Sequence, residues 1–224
     1  MKRSSILIFS FIIISLAGFV FFEGAVVSAV YSATSTTDAS LDYIVRLQVT
    51  AEVSLSCPAN EVNIGTISGI SGGAADGTAT CTVRTNDLSG YTLKIAASNT
   101  PAMVHDDGLT QYFFGDYDDG SDTPDYAWAN TAATSTFGFA ATSSDVVTAF
   151  KNDGAACNTG ANISNIHCFR GFKGTTQIDV SSSNTKTTYN GTDTIFRFKA
   201  EVGATVGQAT GFYHATTTIT AHAN

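Results

Sequence analysis

Between Val45 and Cys57 apolar and polar residues alternate without a break. Val45, Leu47, Val49, Ala51, Val53, Leu55 and Cys57 fall on one side of an extended chain, and Arg46, Gln48, Thr50, Glu52, Ser54 and Ser56 on the other. A period of two predicts a strand over 43–57 whose dry face, Val45 to Leu55, packs into a core. Pro58, Ala59 and Asn60 stop it, Val62 to Ile67 reads as a short second strand, and residues 68–77, SGISGGAADG, read as a glycine-rich turn. The pattern returns in ATCTVRT, where Ala79, Cys81, Val83 and Thr85 share a face, and in YTLKIAAS, where Tyr91, Leu93, Ile95 and Ala97 do. Near the end, TIFRFKAEV turns Phe196, Phe198, Ala200 and Val202 inward and Arg197, Lys199 and Glu201 outward. A final strand runs from Phe212.

Residues 99–175 are less regular, with short aromatic strands expected at Tyr112 to Phe114, Tyr126 to Trp128 and Phe137 to Phe139. No stretch has the apolar spacing and caps of an amphipathic helix a dozen residues long, so the chain is expected to be all-β. Short strands and polar turns point to an immunoglobulin-like or pilin-like sandwich of two sheets, carrying an irregular insertion at about 99–175.

The N-terminal segment changes the picture of where such a domain works. Lys2 and Arg3 precede an apolar run from Ile6 to Phe22, and Val27-Ser28-Ala29 offers small residues for cleavage, so 1–29 reads as an export signal. The alternative is an uncleaved anchor, since the run is close to the ~20 residues of a membrane span. Residues 30–41 are polar and aperiodic and read as a flexible arm, leaving 42–224 as one β domain in an extracellular or cell-surface location. The formal charge of −8 falls to −9 without the signal, with nine basic against eighteen acidic residues. That balance excludes a nucleic-acid partner.

Four cysteines in an exported chain make two disulfides, and their spacing pairs Cys57 with Cys81 and Cys157 with Cys168, the second pair stapling the insertion. No C-x-x-C pair is present to suggest zinc.

Candidate chemistry is sparse. Gly69 to Gly73 matches G-x-S-x-G, but the strand and helix that make such a serine nucleophilic are absent, so Ser71 reads as a turn residue and the chain as no enzyme. Asp116, Asp118, Asp119, Asp122 and Asp125 crowd one loop; oxygen ligands of this kind suit weakly held Ca²⁺, the one cofactor the sequence suggests, and otherwise make a solvated acidic loop. Around them, Tyr112, Tyr117 and Tyr126 are candidates for a sugar-binding platform, while Phe113 and Trp128 are expected in the core. His105 and Asp106, as strand neighbours, point apart.

The stretches VTAEVSLSCPANEVNIGTIS, ATCTVRTNDLSGYTLKIAAS and GFYHATTTITAHAN resemble in layout the secreted sandwiches of the spore coat U and fimbrial pilin type. The likeness covers roughly 45–98 and 194–222. It implies that Cys57 and Cys81 hold that family's bridged positions and that Gly211 to Ile219 is its terminal strand. A structural or adhesive role follows, with other copies of the chain or surface glycans as partners. Two departures stand out: the insertion is long, and Val30 to Leu41 lacks the alternation of a donor strand. The chain is also similar to Thr-rich exported bacterial surface proteins.

Overall fold

The computed structural model describes residues 38, 40, 41, 43–57, 61–107, 111–161 and 166–224. The expected export signal, and all but three residues of the polar arm, lie outside the described residues. The chain divides into two compact units, 1–48 and 49–224, and every strand among the described residues lies in the second.

The fold is all-β. Its strands are β1 (Val53–Ser56), β2 (Gly73–Thr85), β3 (Tyr91–Ala97), β4 (Met103–His105), β5 (Phe113–Asp116), β6 (Ser135–Ser143), β7 (Ile178–Ser183), β8 (Thr192–Val202), β9 (Tyr213–Ala215) and β10 (Thr217–Ala223). Seven form one sheet in the order β1-β2-β8-β6-β5-β4-β9, and three form the other, β10-β3-β7. Pairing is antiparallel except between β5 and β6.

The alternation read in the sequence sets the core. Phe196, Phe198, Ala200 and Val202 of β8 and Cys81 and Val83 of β2 join Tyr91, Leu93 and Ile95 of β3 in one buried cluster. Phe139 of β6 is fully buried between Phe150 and Phe172, with ring centroids 5.6 and 4.8 Å away. The buried hydroxyls of Ser181 and Thr194 satisfy each other at 3.0 Å, as polar groups in such a core must. Both disulfides form as the spacing predicts, Cys57 to Cys81 and Cys157 to Cys168. The first joins neighbouring strands of one sheet, because β1 pairs with β2 in the register Ser56 to Thr82. Cys81 is buried whereas Cys57 stands at the surface.

Several expectations are corrected. The first strand covers only Val53–Ser56, and of the anticipated dry face Val53 and Leu55 pack against the core while Val45, Leu47 and Val49 are 91, 89 and 75% exposed. Backbone pairing supplies the reason. Val53 lies opposite Thr85, the last residue of β2, and the chain then turns into β3 through Gly90, whose φ of +87° suits glycine. Among the described residues upstream of Val53 none is in a strand.

Val62 to Ile67 forms no strand, although Val62, Ile64 and Ile67 pack against the core, and β2 begins within the expected glycine-rich turn, at Gly73. Nor is the insertion an appendage: it contributes β6, whose nine residues pair with β8 at the middle of the large sheet. Residues 126–128 are not a strand. The terminal segment divides at Thr216 into β9 and β10, one in each sheet.

Candidate functional site

The departure of the N-terminal segment from the sheet is built by Asn86. Its Oδ1 accepts from the Glu52 N–H at 2.7 Å and its Nδ2 donates to the Thr50 carbonyl at 2.9 Å, while Thr85 Oγ1 donates to the Glu52 carbonyl at 2.7 Å. A side chain thus continues for two residues the ladder that the main chain of β2 has ended. Asn86→Ala is expected to lower stability by about 1 kcal/mol, the net worth of such exposed bonds, and to speed amide exchange at Glu52 selectively. Hydrogen exchange read by NMR checks both.

Among the described residues Tyr43, Ile44, Val45 and Leu47 carry no sheet pairing, and all are more than 80% exposed. Scattered exposed apolar side chains are ordinary; four within five residues, with Val49 next, are not.

Of the sheet edges, that of β7 is covered by residues 145–147: Val147 N–H donates to the Val180 carbonyl at 2.9 Å and Ser182 N–H to that of Asp145 at 2.8 Å. The edge strands β1 and β9 have four and three residues. β10 is longer, with seven, and among the described residues it pairs with β3 alone. Its inward residues Ile219 and Ala221 touch the core yet are only half-buried.

The acidic, aromatic loop is organised differently from expectation. Asp116 Oδ1 accepts from the Ala102 N–H at 3.1 Å, and Asp118 sits in a 3-10 turn at a φ of 49°. Asp122 receives Lys173 Nζ at 2.7 Å and Arg170 at 3.4 Å, and the Lys173 bond holds its carboxyl below the usual range. Among the described residues no three carboxylate, imidazole or thiol groups gather as a metal would need, and the Asp119 side chain lies outside them.

Tyr117 is a correction to the expected platform. It is only 2% exposed, stacks on Trp128 at 4.1 Å and donates to Asp125 at 3.1 Å. Burial pushes its phenol up to about 12. Tyr126 lies flat on His167 at 4.6 Å, and Tyr112 remains partly exposed, edge-on to His105. Trp128 packs, half-buried, with Phe169 over Lys199 on the outward side of β8; Phe113, expected in the core, is 42% exposed. Ser71 Oγ donates to Ser68 Oγ at 2.8 Å in an exposed turn, with no helix following.

His105 and Asp106 do point apart. Asp106 pairs with His214, while His105 meets Asp107 at 2.9 Å and the Thr210 carbonyl at 3.1 Å, tying β4 to the turn before β9. Gly211 makes room, since a Cβ there would strike the His105 ring. The Thr210 carbonyl foremost, then Asp107 and Asp106, raise the His105 pKa above the ordinary 6.5. A raised folded-state value means that the extra stabilisation this tie gains from a charged ring is fully present below the unfolded value and is lost as pH rises through the folded one. Protection of the β4–β9 amides is accordingly expected to be greater in mildly acid than in alkaline solution, and His105→Gln to flatten that dependence.

No known protein family, no curated protein and no solved structure matches the chain.

Proposed function

We propose that this chain is an exported structural subunit of the cell surface, whose copies join when a strand from one is added to a sheet edge of the next. The observation that carries the reading is the run 43–49, with an alternating apolar face, no partner strand among the described residues and high exposure of Val45, Leu47 and Val49. An edge strand lacking a partner is a template for such pairing: main-chain bonds give affinity and alternate side chains give register. β10 offers seven residues, the same number as 43–49, and half-buried Ile219 and Ala221 beneath them. Each large apolar side chain seated there contributes about 1.5–3 kcal/mol.

The location rests on two supports. The basic, apolar N-terminus has the order of an export signal, and two disulfides fit an oxidising compartment. Among the described residues no helix is long and apolar enough to cross a membrane. The likeness in pattern to spore coat U and fimbrial pilin sandwiches supports the same role. Function on this reading is cohesion, with no covalent chemistry.

Size-exclusion chromatography and negative-stain microscopy of the disulfide-intact chain test it. Oligomers or fibres that vanish on deletion of 43–49 are expected; a monomer at every concentration would refute it.

A further inference from the structure

Within its four residues β5 changes neighbours. Phe113 and Phe114 pair antiparallel with Val104 and Met103 of β4, whereas Gly115 and Asp116 pair parallel with Thr136 and Phe137 of β6. The parallel pairing lasts only those two residues, and the sheet opens between Phe113 and the start of β6. The segment before β9 closes the gap on the third side. There the Gln208 amide donates to the Phe113 carbonyl at 3.3 Å and to the Tyr213 hydroxyl at 2.9 Å, which fixes its plane. What remains is a groove of about 440 Å³, a volume in the range of small-molecule sites.

Its lining selects a ligand class. Tyr112 and Phe113 form one wall and keep 37 and 42% of their surface exposed, although aromatic residues of this size are usually covered. Ser135 and Thr136 make the floor. Asp116 and Gln208 add a carboxylate and an amide. No Lys, Arg or His is among the described residues that line the groove, and the chain as a whole is acidic, so phosphates and carboxylates are disfavoured. A fitting molecule has an apolar face for the rings, hydroxyls for the polar groups and no negative charge.

We infer that this groove binds one or two units of a neutral saccharide, with the sugar face against Phe113 and Tyr112 and its hydroxyls toward Asp116 and Gln208. The site goes beyond assembly and does not depend on it, since none of its residues belongs to 43–49 or β10. It keeps Tyr112 from the platform read in the sequence, and draws its other residues from β5, β6 and the loop before β9.

Calorimetry and NMR titration of the disulfide-intact full chain with glucose, galactose, N-acetylglucosamine and their β-linked disaccharides, beside sialic acid, test the inference. Saturable binding of at least one neutral sugar and none of sialic acid is expected. Phe113→Ala and, independently, Tyr112→Ala should each weaken it about tenfold, while Phe113→Tyr preserves it and Tyr189→Ala, at a residue 93% exposed and outside the groove, changes nothing. Silence toward every neutral sugar would overturn the inference. So would binding that neither aromatic truncation alters, or equal affinity for sialic acid.

Discussion

Replacing Val45 and Leu47 together with aspartate is expected to abolish self-association while leaving the folded domain intact. Both side chains are about nine-tenths exposed and neither contributes to the core, so the change in unfolding free energy should stay within about 0.5 kcal/mol, as for other surface substitutions. In an assembled strand the same positions would face the apolar edge beside Ile219 and Ala221. An unpaired carboxylate in that setting costs several kcal/mol, so the association constant should fall by at least about a hundredfold. Sedimentation velocity measures the association and thermal unfolding the stability. If association fails together with folding, the segment has a packing role that its exposure contradicts.

The second large effect concerns the domain itself. Phe139→Ala is expected to cost about 3–5 kcal/mol, since it removes a fully buried ring from between Phe150 and Phe172 in the middle strand of the large sheet. Beneath that ring the sheet has no slack: β6 is held by β8 along its whole length, and the Phe139 backbone exchanges bonds of 2.9 Å with Arg170. Denaturant titration of the disulfide-intact protein reads the loss. A cost below about 1 kcal/mol would mean that the insertion is not part of the cooperative core.

These two substitutions mark where the sequence was legible and where it was not. β8, and β3 as far as Ile95, could be read residue by residue because one side is more deeply buried than the other, so alternation in the chain is alternation in space. β6 escaped that logic. Ala140 and Ala141 are both buried, the first under the lid of Tyr117, Trp128 and Phe169 and the second in the main core, and a strand covered on both faces has no alternation to read.

The run 43–49 failed for the opposite reason. Its alternation is as clean as that of β3, but periodicity records which residues could share a dry face and not whether a neighbour exists. That depends on β2 ending at Thr85, a matter of register between segments some thirty residues apart. The work of Asn86 on Thr50 and Glu52 appears only once that register is fixed. Tyr117 shows the limit of reading sites from composition. An aromatic among aspartates looked like a surface contact, yet its hydroxyl bonds to Asp125 and its ring stacks on Trp128, which lets it be buried. The groove beside β5 was legible only at Tyr112 and Asp116, because a strand that switches neighbours leaves no local mark.

Pairing of 43–49 of one copy with the β10 edge of another can be read by placing a photo-cross-linking phenylalanine analogue at position 47 in a mixture of isotopically heavy and light chains, then mapping the joined peptides by mass spectrometry. Heavy-light cross-links from position 47 to residues 217–223 are expected. Cross-links confined within single chains, or scattered over the surface without reaching β10, would contradict that pairing.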